Sequence, residues 1–225
     1  MKLTLSAHPP FNFLSVVNSH GWRQLAPFSY EESKHVLSYV LRLSNGRVIE
    51  LRFSDGGNGV ILETEKLDKT ECSEVKEKAT WMFGLDMDFS RFYEAAAAEP
   101  KLALAKERAL GRVLRSPTLF EDVIKTILTT NTLWAATKNM TLKLVNEFGE
   151  PLEDDETKKA FPTPESIAAS SPDVLKERIR VGYRAPAIYD LAVRVASGTF
   201  DLEALKTSDL PTLELRKQLL TINGV

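Results

Sequence analysis

The sequence is poor in several features that would point directly to a function. Its 225 residues include one cysteine, Cys72, so no disulfide can form within the chain. The three histidines are scattered and no second cysteine accompanies them, which is unlike the spacing of a metal site. No glycine-rich phosphate loop of the Walker or dinucleotide-binding type occurs. We therefore expect no metal ligands and no nucleotide cofactor.

Long apolar runs and an excess of one charge are also missing. No stretch approaches the roughly 18 apolar residues that a membrane-spanning helix needs. The first residues, 1–10, do not resemble a secretory signal. We expect a cytoplasmic protein without a membrane partner, associated with the nucleoid if the source is bacterial. The formal net charge of −2 argues against non-specific coating of nucleic acid, which needs many cations, but it allows a local basic face.

The first part of the chain is rich in strand signals. Apolar runs at residues 36–43 and 48–53 flank Asn45-Gly46, a pair that favours a tight β-hairpin because both residues tolerate positive φ. Residues 60–62 predict a further strand. A first strand is expected from four apolar residues near the start, Phe11, Phe13, Val16 and Val17. We therefore predict a small antiparallel β-rich domain over residues 1–70.

From Ser73 onward the apolar spacing becomes helical. One stripe recurs every three or four residues and predicts a buried helix, with Thr118 and Glu121 placed for a capping box: Leu119, Phe120, Val123, Ile124, Ile127 and Leu128. Further helices are expected to open at Thr163-Pro164 and Ser171-Pro172, and the acidic residues 150–156 should form a solvated loop. The fold class is therefore α+β, with an all-helical domain over residues 71–225.

One short segment has chemistry suited to nucleic acid. Gly182-Tyr183-Arg184 presents an aromatic ring and a guanidinium at the start of a helix, where tyrosine can stack and arginine can reach a phosphate or a base edge. Basic residues outnumber acidic ones between residues 176 and 194. The alternative is an ordinary helix start with a partly buried tyrosine, and these residues alone leave both readings open.

Four segments in series resemble the helix-hairpin-helix superfamily of base-excision DNA glycosylases, known as HhH-GPD. They occur at residues 114–131, 161–164, 181–185 and 219–225, and their sequences include Ser-Pro-Thr-Leu-Phe-Glu, Phe-Pro-Thr-Pro, Val-Gly-Tyr-Arg-Ala and Leu-Leu-Thr-Ile-Asn-Gly-Val. The match is similar to both the 8-oxoguanine and the 3-methyladenine glycosylase II branches. A β-rich N-terminal domain also agrees with this family.

The resemblance implies roles for residues in these segments. Asn131 matches the residue that fills the gap left by the flipped base. A helix-capping asparagine is an equally good reading, and the two roles are compatible. Tyr183 and Arg184 match positions that wedge the duplex and contact the base opposite the lesion. Trp22 is a candidate to line the lesion pocket. A core position is the stronger expectation, because large aromatic side chains mostly pack in cores.

The last segment resembles the opening of the family's hairpin, whose backbone amides hold a DNA phosphate. Asn223, Gly224 and Val225 would supply those amides, and the resemblance implies a monovalent cation there, with no other cofactor. Asn223 departs from the family's usual proline. The family's catalytic lysine and aspartate would lie beyond Val225, so we assign no catalytic residue and expect an inactive chain. Without the next helix, the stripe of Leu215, Leu219 and Ile222 should be partly exposed.

The family resemblance predicts a purine-specific DNA glycosylase whose partner is double-stranded DNA with a damaged base. The intact parent is expected to be a monomer, with or without additional lyase activity. A catalytically inactive DNA-binding module of the same fold is the main alternative, and a protein-interaction domain is a weaker one. The sequence does not distinguish an oxidised from an alkylated lesion, although Asn131 and Tyr183-Arg184 favour an oxidised purine.

Overall fold

The computed structural model describes residues 1–224, and the chain divides into two units. The first unit comprises Met1–Gln24 and Phe28–Pro117, and the second comprises Leu25–Pro27 and the chain from Thr118 onward. Strands and helices are both present, which confirms the predicted α+β class. The first unit is longer than the β-rich domain predicted over residues 1–70, because helices that follow the sheet also belong to it.

A five-stranded antiparallel sheet forms the centre of the first unit, in the order β1-β5-β4-β3-β2. Its strands are β1 (Lys2–Ser6), β2 (Phe28–Glu31), β3 (Val36–Arg42), β4 (Val48–Asp55) and β5 (Gly59–Glu63). The predicted Asn45-Gly46 hairpin is confirmed: Arg42 pairs with Val48, and Gly46 has a φ of 91°, which glycine adopts without strain.

Two helices follow the sheet in the first unit, α2 (Lys69–Phe83) and α3 (Ser90–Ala97). The α2 residues Val75 and Phe83 are fully buried in the same apolar cluster as the inward-facing Leu51 and Phe53 of β4. Glu71 also ties α2 to the β3–β4 hairpin, because its carboxylate accepts a hydrogen bond of 2.9 Å from the Asn45 side chain. These contacts explain why the unit extends past residue 70.

One strand predicted near the start of the chain is wrong. Residues Phe13–Val17 form a short helix, α1, whose buried members Phe13, Val16 and Val17 are spaced as one helical face. Asn12 caps this helix, because its side chain accepts a 2.8 Å hydrogen bond from the amide of Ser15. The strands β1 and β2 carry no turn signal of the Asn-Gly kind and were not expected.

The second unit is built mainly of helices. They are α4 (Leu119–Thr129), α5 (Trp134–Phe148), α6 (Pro164–Ala168), α7 (Pro172–Val174), α8 (Ala185–Ala196) and α9 (Thr212–Leu219). The predicted helix starts are confirmed at α6 and α7, where Thr163 and Ser171 accept hydrogen bonds from backbone amides. The acidic segment is not simply a loop, since β6 (Pro151–Leu152) and β7 (Asp155–Lys159) pair as a small hairpin.

Helix α4 is the most buried helix of the second unit and contains an ion pair. Its predicted apolar stripe is confirmed, with Ile124, Ile127 and Leu128 fully buried. Thr118 caps it by accepting a hydrogen bond from the Glu121 amide, whereas the Glu121 carboxylate lies 2.5 Å from Lys125 Nζ. Both charged side chains are essentially inaccessible to solvent. Burying two charges is costly unless they are paired, so this contact offsets part of the cost of burying both side chains.

Among residues 1–224, no helix combines the length and the apolar character required to cross a membrane.

Candidate functional site

The segment that follows α4 presents Asn131 in an unusual backbone conformation. Thr130 ends the helix, and Asn131 has a φ of 45°, in the left-handed region where asparagine and glycine are most tolerated. Its side chain is exposed. The residue at the start of α5 is Leu133, which makes no side-chain cap. Asn131 is therefore not an N-cap, but it occupies the left-handed position directly after the C-cap of α4, where an asparagine can end a helix. The helix-capping reading agrees with this position, and the role at a flipped base stays a prediction.

The Gly-Tyr-Arg segment forms a short 3₁₀ turn, Gly182–Arg184, directly before α8. Tyr183 is 65% exposed, so the reading of a partly buried tyrosine is wrong. The preceding π-helix, Leu175–Ile179, ends at Arg180 in a left-handed conformation with a φ of 64°. Gly182 also has a left-handed backbone, with a φ of 63°. The chain thus makes two left-handed turns in three residues, and the Tyr183 ring that follows lies at the surface.

Arg184 differs from the sequence-based expectation, because the structure buries it. Only 7% of the residue is exposed. Its Nη2 donates to the Thr130 carbonyl, Nε donates to Thr130 Oγ1 at 3.3 Å, and Nη1 donates to the Val181 carbonyl at 3.2 Å. The guanidinium carbon also lies 4.6 Å from the centre of the Tyr183 ring. In this conformation the guanidinium holds protein groups, so a direct contact with an opposite base remains a prediction.

Tyr183 meets the α4 turn through its phenol oxygen. Asn131 Nδ2 donates to this oxygen at 3.4 Å, and Thr130 Oγ1 lies at the same distance from it. Hydrogen bonding to Thr130, and then to Asn131, holds the pKa of the Tyr183 phenol below its usual value. Asn131, predicted to fill the gap left by a flipped base, is thus in contact with Tyr183, predicted to wedge the duplex.

The predicted hairpin turn lies against the same two helices that carry these residues. Gly224 has a φ of 89°, and a Cβ placed on it would be 3.5 Å from Ile127 of α4 and 3.7 Å from Ala187 of α8. Asn223 is exposed, and Val225 lies outside the described residues. Three turns therefore lie together in the second unit: the turn that ends α4, the Gly-Tyr-Arg turn and the hairpin turn. We call them the three-turn cluster, which comprises Thr130, Asn131, Tyr183, Arg184, Asn223 and Gly224.

The apolar stripe before the hairpin is covered more than expected. Ile222 is 2% exposed and belongs to the apolar core of the second unit, so its predicted exposure is wrong. Leu215 and Leu219 are half-buried, as expected. Ile222 packs inward because the chain turns back after α9, through a hydrogen bond of 3.0 Å from the Ile222 amide to the Leu219 carbonyl.

Comparison with known proteins gives a consistent set of relatives. No family model matches the chain. A DNA-3-methyladenine glycosylase of Bacillus subtilis (strain 168) is 30% identical over 145 residues, which are 64% of this chain, and the chain spans about half of that relative's length, 47%. The structure of MBOgg1 in complex with a low-affinity DNA ligand matches all of the chain and 72% of MBOgg1, with 26% identity and a TM-score of 0.72.

A third similar protein comes from the 8-oxoguanine branch. The 8-oxoguanine glycosylase/lyase of Clostridium acetobutylicum, in complex with double-stranded DNA containing cytosine opposite 8-oxoG, is 20% identical. The match covers 96% of this chain and 69% of that protein, with a TM-score of 0.70. The chain has the helix-hairpin-helix DNA glycosylase fold. The resemblance predicted from the four sequence segments is therefore confirmed.

Within this glycosylase fold, Trp22 belongs to the first unit, whereas the three-turn cluster belongs to the second. Trp22 is half-buried and packs against the apolar core of the first unit. Its ring centre lies 4.7 Å from that of His20. These contacts agree with the core reading, and a role in a lesion pocket remains a prediction.

Sequence reasoning missed two residues, Thr130 within the three-turn cluster and Leu133 beside it. Thr130 contributes both its carbonyl and its hydroxyl to Arg184, and its position directly before Asn131 was the available signal. Leu133 is 80% exposed, the highest value among the large apolar residues that are exposed. It follows Asn131 by two positions and lies outside the apolar stripe of α4, which was the signal that could have identified it.

Proposed function

We propose that the whole protein is a base-excision DNA glycosylase that flips a damaged purine out of duplex DNA and cleaves its N-glycosidic bond. The three-turn cluster carries the proposal: segments that resemble the family's DNA-contacting motifs, although distant in sequence, lie together in the second unit. The match to MBOgg1, along the full length of this chain, supports the same conclusion. Flipping is required because the reacting atoms of a stacked base are inaccessible.

The surface chemistry of the cluster suits a distorted duplex. The exposed ring of Tyr183 has an open face for stacking, and the exposed amide of Asn131 can replace hydrogen bonds that a flipped base gives up. Backbone amides near Gly224 suit a phosphate, as amides in tight turns do. Lys176 and Arg180, both exposed on the segment before the Gly-Tyr-Arg turn, add positive charge.

The resemblance of residues 219–225 to the family's hairpin also supports a monovalent cation at the turn before Gly224, held by backbone carbonyls. In the structure, the Thr221 carbonyl of this turn accepts a hydrogen bond of 3.2 Å from the cationic Arg194 Nη1. A cation held by such carbonyls would strengthen the attraction for phosphate. We propose this cation as the cofactor of the turn.

The chemical step needs groups that the cluster does not contain. Cleavage passes through an oxocarbenium-like state, which a carboxylate stabilises, and strand cleavage requires an amine nucleophile. The residues of the cluster, Thr130, Asn131, Tyr183, Arg184, Asn223 and Gly224, include neither group. We therefore propose that residues 1–225 by themselves bind lesion duplex weakly and do not excise the base.

Two proteins, the whole protein and residues 1–225, test these proposals on duplexes that carry 8-oxoguanine or an alkylated purine. We expect excision by the whole protein alone, and trapping with borohydride reports whether a Schiff base forms. Binding without excision by the whole protein would instead support the inactive DNA-binding module. Turnover by residues 1–225 that a substitution within them abolishes would place the catalytic group inside this chain. Sedimentation of the whole protein tests the expected monomer.

A further inference from the structure

Two hydrogen bonds join the Arg184 side chain to Thr130, and a lysine at position 184 does not have the geometry to replace both of them. Nη2 donates a hydrogen bond to the Thr130 carbonyl and Nε donates one to the Thr130 hydroxyl. The planar guanidinium therefore binds the main chain and the side chain of Thr130 at the same time. An ammonium group is a compact charge on a flexible stem and lacks this fixed geometry. The two residues are 54 positions apart, so these hydrogen bonds hold the end of α4 next to the start of α8.

The burial of Arg184 shows that these contacts belong to the folded chain. A buried charge is costly unless hydrogen bonds replace the water that it loses, and here two backbone carbonyls and a hydroxyl replace it. Nη1 completes the set by donating to Val181 at the start of the Gly-Tyr-Arg turn. A guanidinium engaged in this way is turned toward the protein, whereas a residue that reads a base edge needs its donors directed outward.

The Thr130 hydroxyl links three of the groups around it. It donates to the Ile127 carbonyl at 2.8 Å, accepts from Arg184 Nε, and lies 3.4 Å from the Tyr183 phenol oxygen. The neighbouring Thr129 provides a matched contrast, because its hydroxyl donates to the Thr126 carbonyl within the same helix. The two threonines therefore differ in the contacts of one hydroxyl group.

We propose that Arg184 is a positioning residue that acts through Thr130, and that this pair sets the left-handed turn presenting Asn131 to DNA. The inference rests on the proposed function for its DNA step, but the turn itself can be tested without DNA. Asn131 follows Thr130 directly, so the carbonyl that Arg184 holds belongs to the peptide whose rotation would change the backbone of Asn131. The Asn131 side chain would then be aimed by the same contacts that hold Tyr183.

The first experiment measures the turn in the 225-residue chain by NMR. The variants are Thr130→Val, which removes the hydroxyl, Thr130→Ser, which keeps it, and Thr129→Val as the matched control. Readouts are solvent exchange of the Arg184 Nε proton and the Cα and Cβ shifts of Asn131, which report its backbone conformation. We expect Thr130→Val to accelerate exchange by up to about tenfold, the equivalent of one hydrogen bond, and to move the Asn131 shifts.

In that experiment Thr130→Ser and Thr129→Val should behave like the unaltered chain. Unchanged exchange and unchanged Asn131 shifts in Thr130→Val would overturn the proposal, whatever the chain does with DNA. If the whole protein fails to bind and excise lesion DNA, the proposed function is wrong, and the NMR result still decides whether Arg184 and Thr130 set the turn.

The second experiment places 2-aminopurine beside an abasic-site analogue and follows its fluorescence at saturating protein. We expect Arg184→Lys and Thr130→Val to reduce the unstacking signal, and Thr130→Ser to restore it. Thermal unfolding of each variant identifies any loss that comes from unfolding alone. If Thr130→Val unstacks normally while Arg184→Lys loses binding only with particular opposite bases, then Arg184 reads the base directly and the positioning role is refuted.

Discussion

The side chain of Asn131 donates a hydrogen bond of 3.4 Å to the phenol oxygen of Tyr183. The two residues are exposed members of the three-turn cluster, and they contact each other in the chain without DNA. We propose that both of them enter the duplex. A long hydrogen bond at an exposed site is weak, so DNA can displace it at small cost. The contact nevertheless gives both side chains a defined starting position, and it has measurable consequences.

Tyr183 should titrate at a lower pH than the other tyrosines that the fold perturbs. Hydrogen bonding to Thr130 and Asn131 lowers its pKa, whereas burial is the main cause that raises the pKa of Tyr30 and of Tyr93. Because the folded-state pKa of Tyr183 lies below its unfolded value, its contribution to stability grows as the pH rises through the folded pKa. The difference in tyrosinate absorbance between the unaltered chain and Tyr183→Phe measures this pKa, and a value at or above that of free tyrosine would contradict the contact.

Replacing Asn131 separates its backbone role from its side-chain role. Asn131→Gly keeps a left-handed turn without strain and should retain the thermal midpoint, while it loses base unstacking in the 2-aminopurine assay. Asn131→Ala should lose unstacking and also about 1 kcal/mol of stability, since alanine disfavours a φ of 45°. Normal unstacking by the glycine variant would show that the Asn131 side chain is not used.

Leu133 should contribute to DNA binding without contributing to folding. Its side chain is 80% exposed, so Leu133→Ala should change the free energy of unfolding by less than about 0.5 kcal/mol. If the side chain wedges against bases beside the flipped site, its loss should weaken lesion-duplex affinity by roughly fivefold, or about 1 kcal/mol. Leu142→Ala, at a 49% exposed position of α5, is the control. Equal effects of the two substitutions on affinity would refute a specific role for Leu133.

The buried pair in α4 should matter far more for stability than an exposed pair of the same kind. Lys125→Met leaves the Glu121 carboxylate buried without the ammonium, and it should cost about 3–5 kcal/mol, measured by urea unfolding. Adding Glu121→Leu should recover most of that loss. Lys217→Met, which removes an exposed pair with Glu214, should cost about 1 kcal/mol or less. A double variant no more stable than Lys125→Met would show that the carboxylate is not destabilising on its own.

Much of the fold follows from short-range sequence patterns. Asn45-Gly46 between two apolar runs is sufficient for a hairpin, because only a few residues tolerate its backbone angles. The stripe of α4 and the caps at Thr163 and Ser171 likewise depend on spacing within one turn or two. The error at Phe13–Val17 has the same basis, since a short apolar run fits either a strand or a helix, and the cap from Asn12 is what favours the helix.

Asn131, Tyr183, Arg184 and Gly224 were grouped as candidates only through the resemblance of four sequence segments. Their individual environments came from tertiary structure. From the sequence, the two side chains of a Tyr-Arg pair at a helix start are expected to be equally exposed to solvent. In the structure Tyr183 is exposed and Arg184 is buried. The difference arises because a carbonyl and a hydroxyl 54 residues away provide the hydrogen bonds that a buried guanidinium requires. Local spacing sets which element forms, but the burial of a charge depends on partners that only the folded chain brings within reach.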